Sequence, residues 1–203
     1  MRTIVITGPS GSGKSYLSNK LTKSFDNSIV IKTDSYYKDT KLIRLLSIFL
    51  YDIYDRPLSI KKNEIKKTLR SIHNKDRLIS FYNYDFKRKK STQSKVKINY
   101  KGDNQFIILE GIFAHRLDLT YQKTINIVCN DEKEICFKRR VKRDLLERGR
   151  DIREVNNKFN KSWYLFYQNI QTHLQENKVI SLNPSDKVAY DKLVSNLQTH
   201  KNN

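Results

Sequence analysis

Hydrophobic residues occur along this chain in short runs, separated by polar and lysine-rich stretches. Five runs rich in Ile and Val are too short for helices and predict β-strands, at residues 3–7, 28–32, 106–109, 124–129 and 178–182. Helices are predicted where apolar residues recur every three or four positions: after residue 15, over 60–72, from 131 to 147, over 155–174, and from 185 or 186 to about 200. Asp131 is predicted to cap the third of these helices, and Ser185 or Asp186 the last. Strands that alternate with helices predict an α/β fold, whose mostly parallel sheet is covered by helices on both faces.

Residues 78–100 depart from this alternation. Short β-like pieces are expected there, with a basic loop at 87–95 and an exposed antiparallel strand at 96–100, where Val96, Ile98 and Tyr100 alternate with polar residues. The pattern therefore predicts one domain over residues 1–203 that carries small hairpin and lid insertions.

The segment between the first strand and the first helix carries the most specific chemistry. Residues 8–15 read GPSGSGKS and fit the phosphate-loop pattern G-x-x-x-x-G-K-[ST] at each fixed position. A strand, a glycine-rich loop and a helix start together aim backbone N–H groups at a polyphosphate. Lys14 is expected to reach the β- and γ-phosphates, and the Ser15 hydroxyl to bind Mg²⁺. The predicted nucleoside triphosphate contacts are Gly8, Ser10, Gly11, Ser12, Gly13, Lys14 and Ser15.

Two acidic residues follow predicted strands. Asp34 comes after the second strand and Glu110 ends the strand at 106–109. Ligands of open parallel sheets bind beyond the carboxyl ends of the strands, so both carboxylates are expected beside the phosphate loop. Phosphoryl transfer needs a group that accepts the proton of the acceptor hydroxyl and a partner for the metal ion. Asp34 is the candidate base and Glu110 the candidate magnesium partner; an ordinary cap or loop carboxylate is the alternative for each.

Arginines are concentrated in the predicted helix at 131–147 and just after it, at positions 139, 140, 143, 148, 150 and 153. Arg140 and Arg143 are three residues apart and share one helix face. Gly149 is a candidate hinge, so this segment is predicted to fold over the triphosphate and to stabilise charge on the transferring phosphoryl group. A solvated basic helix is the alternative.

Composition limits the classes of function. The chain has 40 Lys and Arg against 21 Asp and Glu, a net charge of +19, which suits polyanionic ligands and leaves nucleic acid open as a partner. Its two cysteines, Cys129 and Cys136, show no metal or disulfide spacing, and Cys129 is expected in the core. Neither a signal peptide nor an apolar stretch of 18 residues is present, which predicts a cytoplasmic location without a membrane partner.

Several blocks together resemble the phosphoribulokinase/uridine kinase family, and its uridine kinase branch in particular. The matching blocks are GPSGSGKS (8–15), DSYYKD (34–39), YDRP (54–57), YDF (84–86), LEGIFA (109–114) and RRVKRDLLERGRD (139–151). The resemblance implies a P-loop kinase that uses ATP or GTP with Mg²⁺ to phosphorylate the 5′-hydroxyl of uridine or cytidine in pyrimidine salvage. It also suggests a homo-oligomer.

The same resemblance assigns roles to individual residues. Asp34 would be the base, Tyr37 and Asp55 would line the acceptor pocket, and Tyr84 would pack near the nucleobase. Ser15 and Glu110 would hold the metal. Lys14, Arg140 and Arg143 would act on the phosphates, Arg148 would bind the nucleotide, and Arg140 and Arg150 would lie near the acceptor.

Two departures from the branch leave other acceptors open. Uridine kinases usually carry a histidine shortly after the YDF block, where this chain has only basic residues at 87–90, and Arg56 replaces a second usual histidine. A kinase of the same family that acts on another small hydroxylated metabolite, similar to phosphoribulokinase, pantothenate kinase or glycerate kinase, is therefore the alternative. A nucleic-acid-binding protein switched by nucleotide is the rival from a different class; its support is the net charge, with residues 81–84 the nearest approach to an aromatic platform.

Overall fold

A computed structural model describes residues 1–25, 28–49, 53–100, 105–117, 119, 124–176 and 178–199. Its main sheet contains five strands: β1 (Arg2–Thr7), β2 (Ile29–Lys32), β5 (Phe106–Glu110), β6 (Thr124–Cys129) and β7 (Val179–Leu182). Their order is β2-β5-β1-β6-β7, and each neighbouring pair is parallel. The predicted parallel sheet is confirmed, with β1 at its centre.

Helices cover both faces of this sheet. The helices of the described residues are α1 (Lys14–Ser24), α2 (Lys41–Phe49), α3 (Lys62–His73), α4 (Lys133–Arg148), α5 (Ile152–Glu176) and α6 (Lys187–Thr199). The two faces of the sheet are covered by α1 with α6 and by α3 with α5. Successive residues of a strand point to opposite faces, so β1 contributes to two separate hydrophobic cores. Ile4 and Ile6 pack with residues of α1 and α6, whereas Val5 belongs to the core that includes residues of α3 and α5.

A second, two-stranded sheet lies between α3 and β5 in the chain. It is the antiparallel hairpin of β3 (Leu78–Asp85) and β4 (Lys90–Lys97), in which Asp85 pairs with Lys90. The expected hairpin insertion is confirmed, but the basic loop expected at 87–95 is wrong. Only residues 86–89 form the turn, and β4 ends at Lys97 instead of beginning at Val96. The register with β3 imposes this strand on a segment whose own sequence has little apolar alternation.

Two helix starts test the predicted caps. The carboxylate of Asp186 accepts a hydrogen bond from the backbone N–H of Ala189 at 3.1 Å, which is N-cap geometry for α6. Asp131 was expected to cap α4, and this is wrong: the helix begins at Lys133, and Oδ2 of Asp131 accepts a hydrogen bond from Arg139 at 2.6 Å. Arg139 also donates to the carbonyl of Gly11, so this side chain of α4, held by Asp131, links the helix to the phosphate loop.

Candidate active site

The carboxyl edge of the sheet gathers the predicted acidic residues beside the phosphate loop. Glu110, the last residue of β5, pairs with Ile6 of β1 on one side and with Lys32 of β2 on the other. Asp34 follows β2 by two residues, in the 3₁₀ turn Thr33–Tyr36. The loop begins directly after β1, so three adjacent strands deliver the loop and both carboxylates to one edge.

Two glycines give the phosphate loop its shape. Gly11 and Gly13 have φ angles of 87° and 84°, a left-handed conformation that is costly for other residues. A Cβ atom on Gly11 would also collide with the backbone carbonyl of Cys136 in α4. The sequence pattern therefore reflects both backbone conformation and the close packing of the loop against α4.

Lys14 folds back over this loop. Its ammonium donates a hydrogen bond to the carbonyl of Pro9 at 2.8 Å, and the side chain is buried. Burial lowers the pKa of Lys14, while the nearby carboxylates of Asp34 and Glu110 oppose that shift. A buried cation at the phosphate loop can bind the anionic phosphate chain of a ligand.

Ser15 and Glu110, the two residues predicted to hold a metal ion, lie in contact with each other. The Ser15 hydroxyl donates to Oε1 of Glu110 at 3.1 Å, whereas Oε2 is buried and has no hydrogen-bond partner among the described residues. Burial raises the pKa of Glu110, and Lys14 opposes the shift. A hydroxyl and a carboxylate are hard oxygen ligands, and Mg²⁺ is usually held by one or two such side chains together with substrate phosphates. The two residues therefore fit Mg²⁺.

Asp34 lies on the other side of the same space. Its Oδ1 atom is buried and has no hydrogen-bond partner among the described residues. A buried acceptor atom without a protein partner is unusual in a folded chain and is a common feature of ligand sites. The carboxylate can therefore accept a hydrogen bond from a hydroxyl group that enters the site.

Two connected cavities meet at this point. The first, here called the loop cavity, is lined by part of the phosphate loop together with Lys32, Glu110 and Arg139. The second, here called the aromatic cavity, is lined by Tyr37 and other aromatic and basic residues described below. Seven residues line both cavities: Ser10, Asp34, Tyr84, Phe86, Ile112, Arg143 and Arg148. The candidate base thus lies where the two cavities join.

Four rings form the aromatic cavity: Tyr37, Tyr54, Tyr84 and Phe86. Their centroids lie 5.1–6.0 Å apart in edge-to-face and tilted pairs, so each ring is held by its neighbours. Lys89, Arg140, Arg150 and Lys158 add positive charge to the same lining. The cavity combines flat apolar surfaces with cations, a chemistry that suits a ring bearing oxygen atoms or an anionic group.

The arginines of α4 and of the residues just after it contact one carboxylate. Asp144 is fully buried and contacts the guanidinium groups of Arg140, Arg143, Arg148 and Arg150, a set here called the arginine cluster. Gly149 ends α4 in the left-handed conformation that favours glycine at a helix terminus. A solvated basic helix does not describe this arrangement, because the four side chains turn inward.

The predicted site residues are largely brought together. Asp34, Tyr37, Tyr84 and Glu110 line the joined cavities, as do Arg143, Arg148 and Arg150. Of the seven predicted phosphate-loop contacts, five line the cavities: Ser10, Gly11, Gly13, Lys14 and Ser15. Gly8 and Ser12 are not among the lining residues, and the side chain of Ser12 is buried. Arg140 also lines the aromatic cavity, but it is buried between α4 and α5, where it donates to Ser162 at 2.6 Å. The side chain of Asp55 lies outside the described part of the structure.

Sequence reasoning missed several residues of this site. Asp144 stood inside the quoted arginine-rich block without a role, although an aspartate among so many arginines could have indicated an ion-pair centre. Phe86 belongs to the YDF block but was given no role; its ring centroid lies 4.0 Å from the guanidinium carbon of Arg148. No sequence pattern marked Lys158 as a site residue, because only the packing of α5 brings it to the cavity.

A central parallel sheet, a phosphate loop after its middle strand and paired strand-end carboxylates define a P-loop nucleotide-binding α/β protein. Solved structures agree with this fold. A candidate fructose transport system kinase from Silicibacter sp. TM1040 superposes with a TM-score of 0.62 at 16% identity, over 82% of this chain and 84% of that one. A candidate uridine kinase from Bacillus stearothermophilus gives 0.56 at 13% identity, over 88% of each chain.

Sequence comparison defines the family. The model of the "Phosphoribulokinase / Uridine kinase family" matches residues 3–188. A protein named uridine kinase from Clostridium novyi (strain NT) is 32% identical over 160 residues, which are 76% of this chain and 74% of that protein. One of the same name from Staphylococcus aureus (strain JH9) is 30% identical over 159 residues, 77% and 74% of the two chains.

The chain belongs to the phosphoribulokinase/uridine kinase family. It is therefore a phosphotransferase that uses a nucleoside triphosphate and acts on a hydroxyl group of a small molecule. Among the described residues, no helix combines the length and hydrophobicity that crossing a bilayer requires.

Proposed function

We propose that the protein transfers the γ-phosphoryl group of ATP or GTP, with Mg²⁺, to the 5′-hydroxyl of uridine or cytidine. The observation that carries the proposal is that Asp34, Arg143 and Arg148 line both cavities. A candidate base and two cations at the junction are what a direct transfer between two bound substrates requires. The names of the relatives support a nucleoside as the acceptor.

The donor occupies the loop cavity in this proposal. Backbone N–H groups of the phosphate loop and the start of α1 bind the phosphate chain, and Lys14 exchanges its contact with the Pro9 carbonyl for phosphate oxygens. Ser15 and Glu110, which contact each other, would hold Mg²⁺. The ion supplies positive charge that offsets the charge developing on the phosphate oxygens.

The acceptor occupies the aromatic cavity. Tyr37, Tyr54 and Tyr84 offer ring surfaces on which a nucleobase stacks, while Asp55 accepts hydrogen bonds from the ribose hydroxyls. The 5′-hydroxyl then reaches Asp34, whose carboxylate accepts its proton as the oxygen attacks the γ-phosphorus. The bond between the γ-phosphorus and the bridging oxygen of the β-phosphate breaks, and ADP or GDP leaves. Arg143 and Arg148 stabilise the charge of the transferring group.

A second acceptor class has an observation in its favour. Lys89 and Lys158 add two cations to the aromatic cavity, beyond the arginine cluster. Such a lining suits a small hydroxylated metabolite that already carries a carboxylate or phosphate. Uridine stays the first choice because four aromatic residues line the cavity and the relatives are named uridine kinases.

The test is a panel of acceptors in an ADP- or GDP-release assay with purified protein, Mg²⁺ and either donor. The panel contains uridine, cytidine, adenosine, pantothenate, glycerate and ribulose 5-phosphate. The proposal expects turnover with the two pyrimidine nucleosides and a product phosphorylated at the 5′ position.

Three other outcomes have a definite meaning. Turnover confined to an anionic acceptor would select the second class. Equal and slow turnover with every acceptor would contradict both acceptors. Nanomolar RNA binding that weakens steeply with salt, without acceptor-dependent turnover, would instead support the nucleic-acid rival.

A further inference from the structure

One buried carboxylate organises the arginine cluster. Oδ1 of Asp144 lies 2.7 Å from Nη2 and 2.8 Å from Nε of Arg143, and 3.6 Å from Nε of Arg148. Oδ2 lies 2.8 Å from Nη1 of Arg150 and 3.6 Å from Nε of Arg140. The aspartate side chain is fully buried, so it meets the four guanidinium groups rather than solvent.

The geometry leaves most of the guanidinium donors for other partners. Each arginine has five N–H groups, whereas one carboxylate offers about four acceptor positions in total. Arg143 already uses one remaining donor on Oγ of Ser10, at 3.2 Å, and so connects the cluster to the phosphate loop. Asp144 therefore contacts the arginines away from the cavities and does not block the N–H groups that face the cavities.

The charges explain why such an anchor is needed. Four guanidinium groups in one place repel one another, and burial together with Arg143 lowers the pKa of Arg148 to about 10, while Asp144 acts in the opposite direction. Burial alone would raise the pKa of Asp144, but Arg143 and Arg148 hold it below its usual range. Asp144 therefore stays ionised and offsets one of the four positive charges, which leaves a net positive cluster for an anion.

We propose that Asp144 is a positioning residue that holds Arg140, Arg143, Arg148 and Arg150 in the arrangement that receives the transferring phosphoryl group. Asp144 itself touches neither substrate. The proposal rests on phosphoryl transfer as the proposed function but not on the identity of the acceptor. Correctly placed cations supply much of the rate enhancement in this chemistry, and a displacement of about 1 Å can cost on the order of 100-fold.

The test compares Asp144→Asn with Asp144→Glu and with Glu147→Gln. Asparagine keeps the size but removes the charge and turns an N–H group toward a guanidinium. Glutamate restores the charge on a longer side chain. Glu147 is an exposed carboxylate on the same helix and is the matched control. Each variant is assayed with the best acceptor of the panel, well below its own melting temperature.

For Asp144→Asn the proposal expects a fall in kcat of roughly 100-fold, while the affinity for the nucleotide, measured by calorimetry, changes little because the phosphate loop is intact. Asp144→Glu should recover part of kcat and melt close to the wild-type temperature. Glu147→Gln should match the wild type in kcat and in melting temperature. If the asparagine variant does not fold, the glutamate variant alone decides, with lowered kcat and unchanged nucleotide affinity as the supporting result.

Wild-type kcat in Asp144→Asn, or in Asp144→Glu when only that variant folds, would overturn the proposal. So would an equal loss of kcat, nucleotide affinity and melting temperature, since that is the signature of a purely structural ion pair. Failure of the proposed function looks different, because the wild type itself would then turn over no acceptor. In that case the readout is hydrogen exchange of residues 140–150 with a non-hydrolysable nucleotide bound: protection that depends on Asp144 supports the inference, and equal protection in wild type and Asp144→Asn contradicts it.

Discussion

The hydroxyl of Ser15 donates a hydrogen bond to Oε1 of Glu110 at 3.1 Å, and this contact joins the first turn of α1 to the last residue of β5. The two residues are 95 positions apart in the sequence. Because the loop follows β1 and β5 pairs with β1, the pair is assembled by the fold itself.

Glu110→Gln should weaken metal use and leave nucleotide binding without metal unchanged. The amide keeps the shape of the side chain but lacks the charge that attracts Mg²⁺, so the Mg²⁺ concentration for half-maximal activity should rise roughly tenfold or more. Burial raises the pKa of Glu110, so the neutral variant should melt at the wild-type temperature or above it. A magnesium titration of activity and a melting curve measure both effects.

Glu134→Gln, an exposed change in the first turn of α4, is the control and should alter neither quantity. An unchanged magnesium requirement in Glu110→Gln would show that Glu110 does not hold the ion.

Lys89→Gly tests the contribution of the hairpin turn to acceptor binding. Lys89 has a φ angle of 50°, which glycine adopts with less strain, so the substitution should not destabilise the turn. Since Lys89 lines the aromatic cavity, losing its amine should raise KM for the acceptor by roughly tenfold and leave KM for the donor unchanged. Steady-state kinetics with each substrate varied in turn separates the two constants.

Lys75→Gly is the matched control, because Lys75 has a similar φ of 59° but follows α3 and lines neither of the two cavities. Both KM values should stay at wild-type level in that variant. If Lys89→Gly also leaves both KM values unchanged, the proposal of an anionic acceptor loses one of its two supporting lysines.

His115 should make the protein less stable in mild acid. Thr7 donates its only hydroxyl hydrogen to the carbonyl of Ile112, so Nδ1 of His115 must donate to Thr7, at 3.1 Å, and Nε2 is the atom left to be protonated. Nε2 is buried, and burial, followed by His173 and Arg116, lowers the pKa of His115 to about 3.

The unfolded chain binds this proton near pH 6.5, whereas the folded protein resists it until about pH 3. The unfolded state therefore binds more protons within that window, and the free energy of unfolding falls as the pH is lowered, by at most about 1.4 kcal/mol per pH unit from this group. Urea unfolding of wild type and His115→Asn at pH 7.5 and pH 5 measures the difference. Equal losses of stability in the two proteins would contradict the assignment.

The sequence predicted those parts of the site that are formed by residues adjacent in the chain. The run at 3–7, the glycine loop and Leu17 with Leu21 are adjacent, so local pattern alone indicated a strand, a loop and a helix. Asp34 and Glu110 were found for the same reason, since each follows a recognisable strand and parallel strands end at one edge.

The parts that failed depend on partners distant in sequence. β4 is polar and almost entirely exposed, and its pairing with β3 makes it a strand. α2 was not predicted, and Leu42, Leu45 and Phe49 lie exposed along it. Asp131 was assigned to a cap because it stands near a helix start, but Arg139 binds its carboxylate. The role of Asp144 required the contacts of four arginines, which no local pattern specifies.

The central claim is that Asp34 accepts the proton of an alcohol beside a nucleotide held by the phosphate loop. Single-turnover transfer from ATP to the best acceptor, in wild type and in Asp34→Asn, tests it most directly, with the exposed Asp191→Asn as control. The account predicts a transfer rate about 10²- to 10⁴-fold lower in Asp34→Asn with ATP affinity unchanged. A wild-type transfer rate in Asp34→Asn would contradict it.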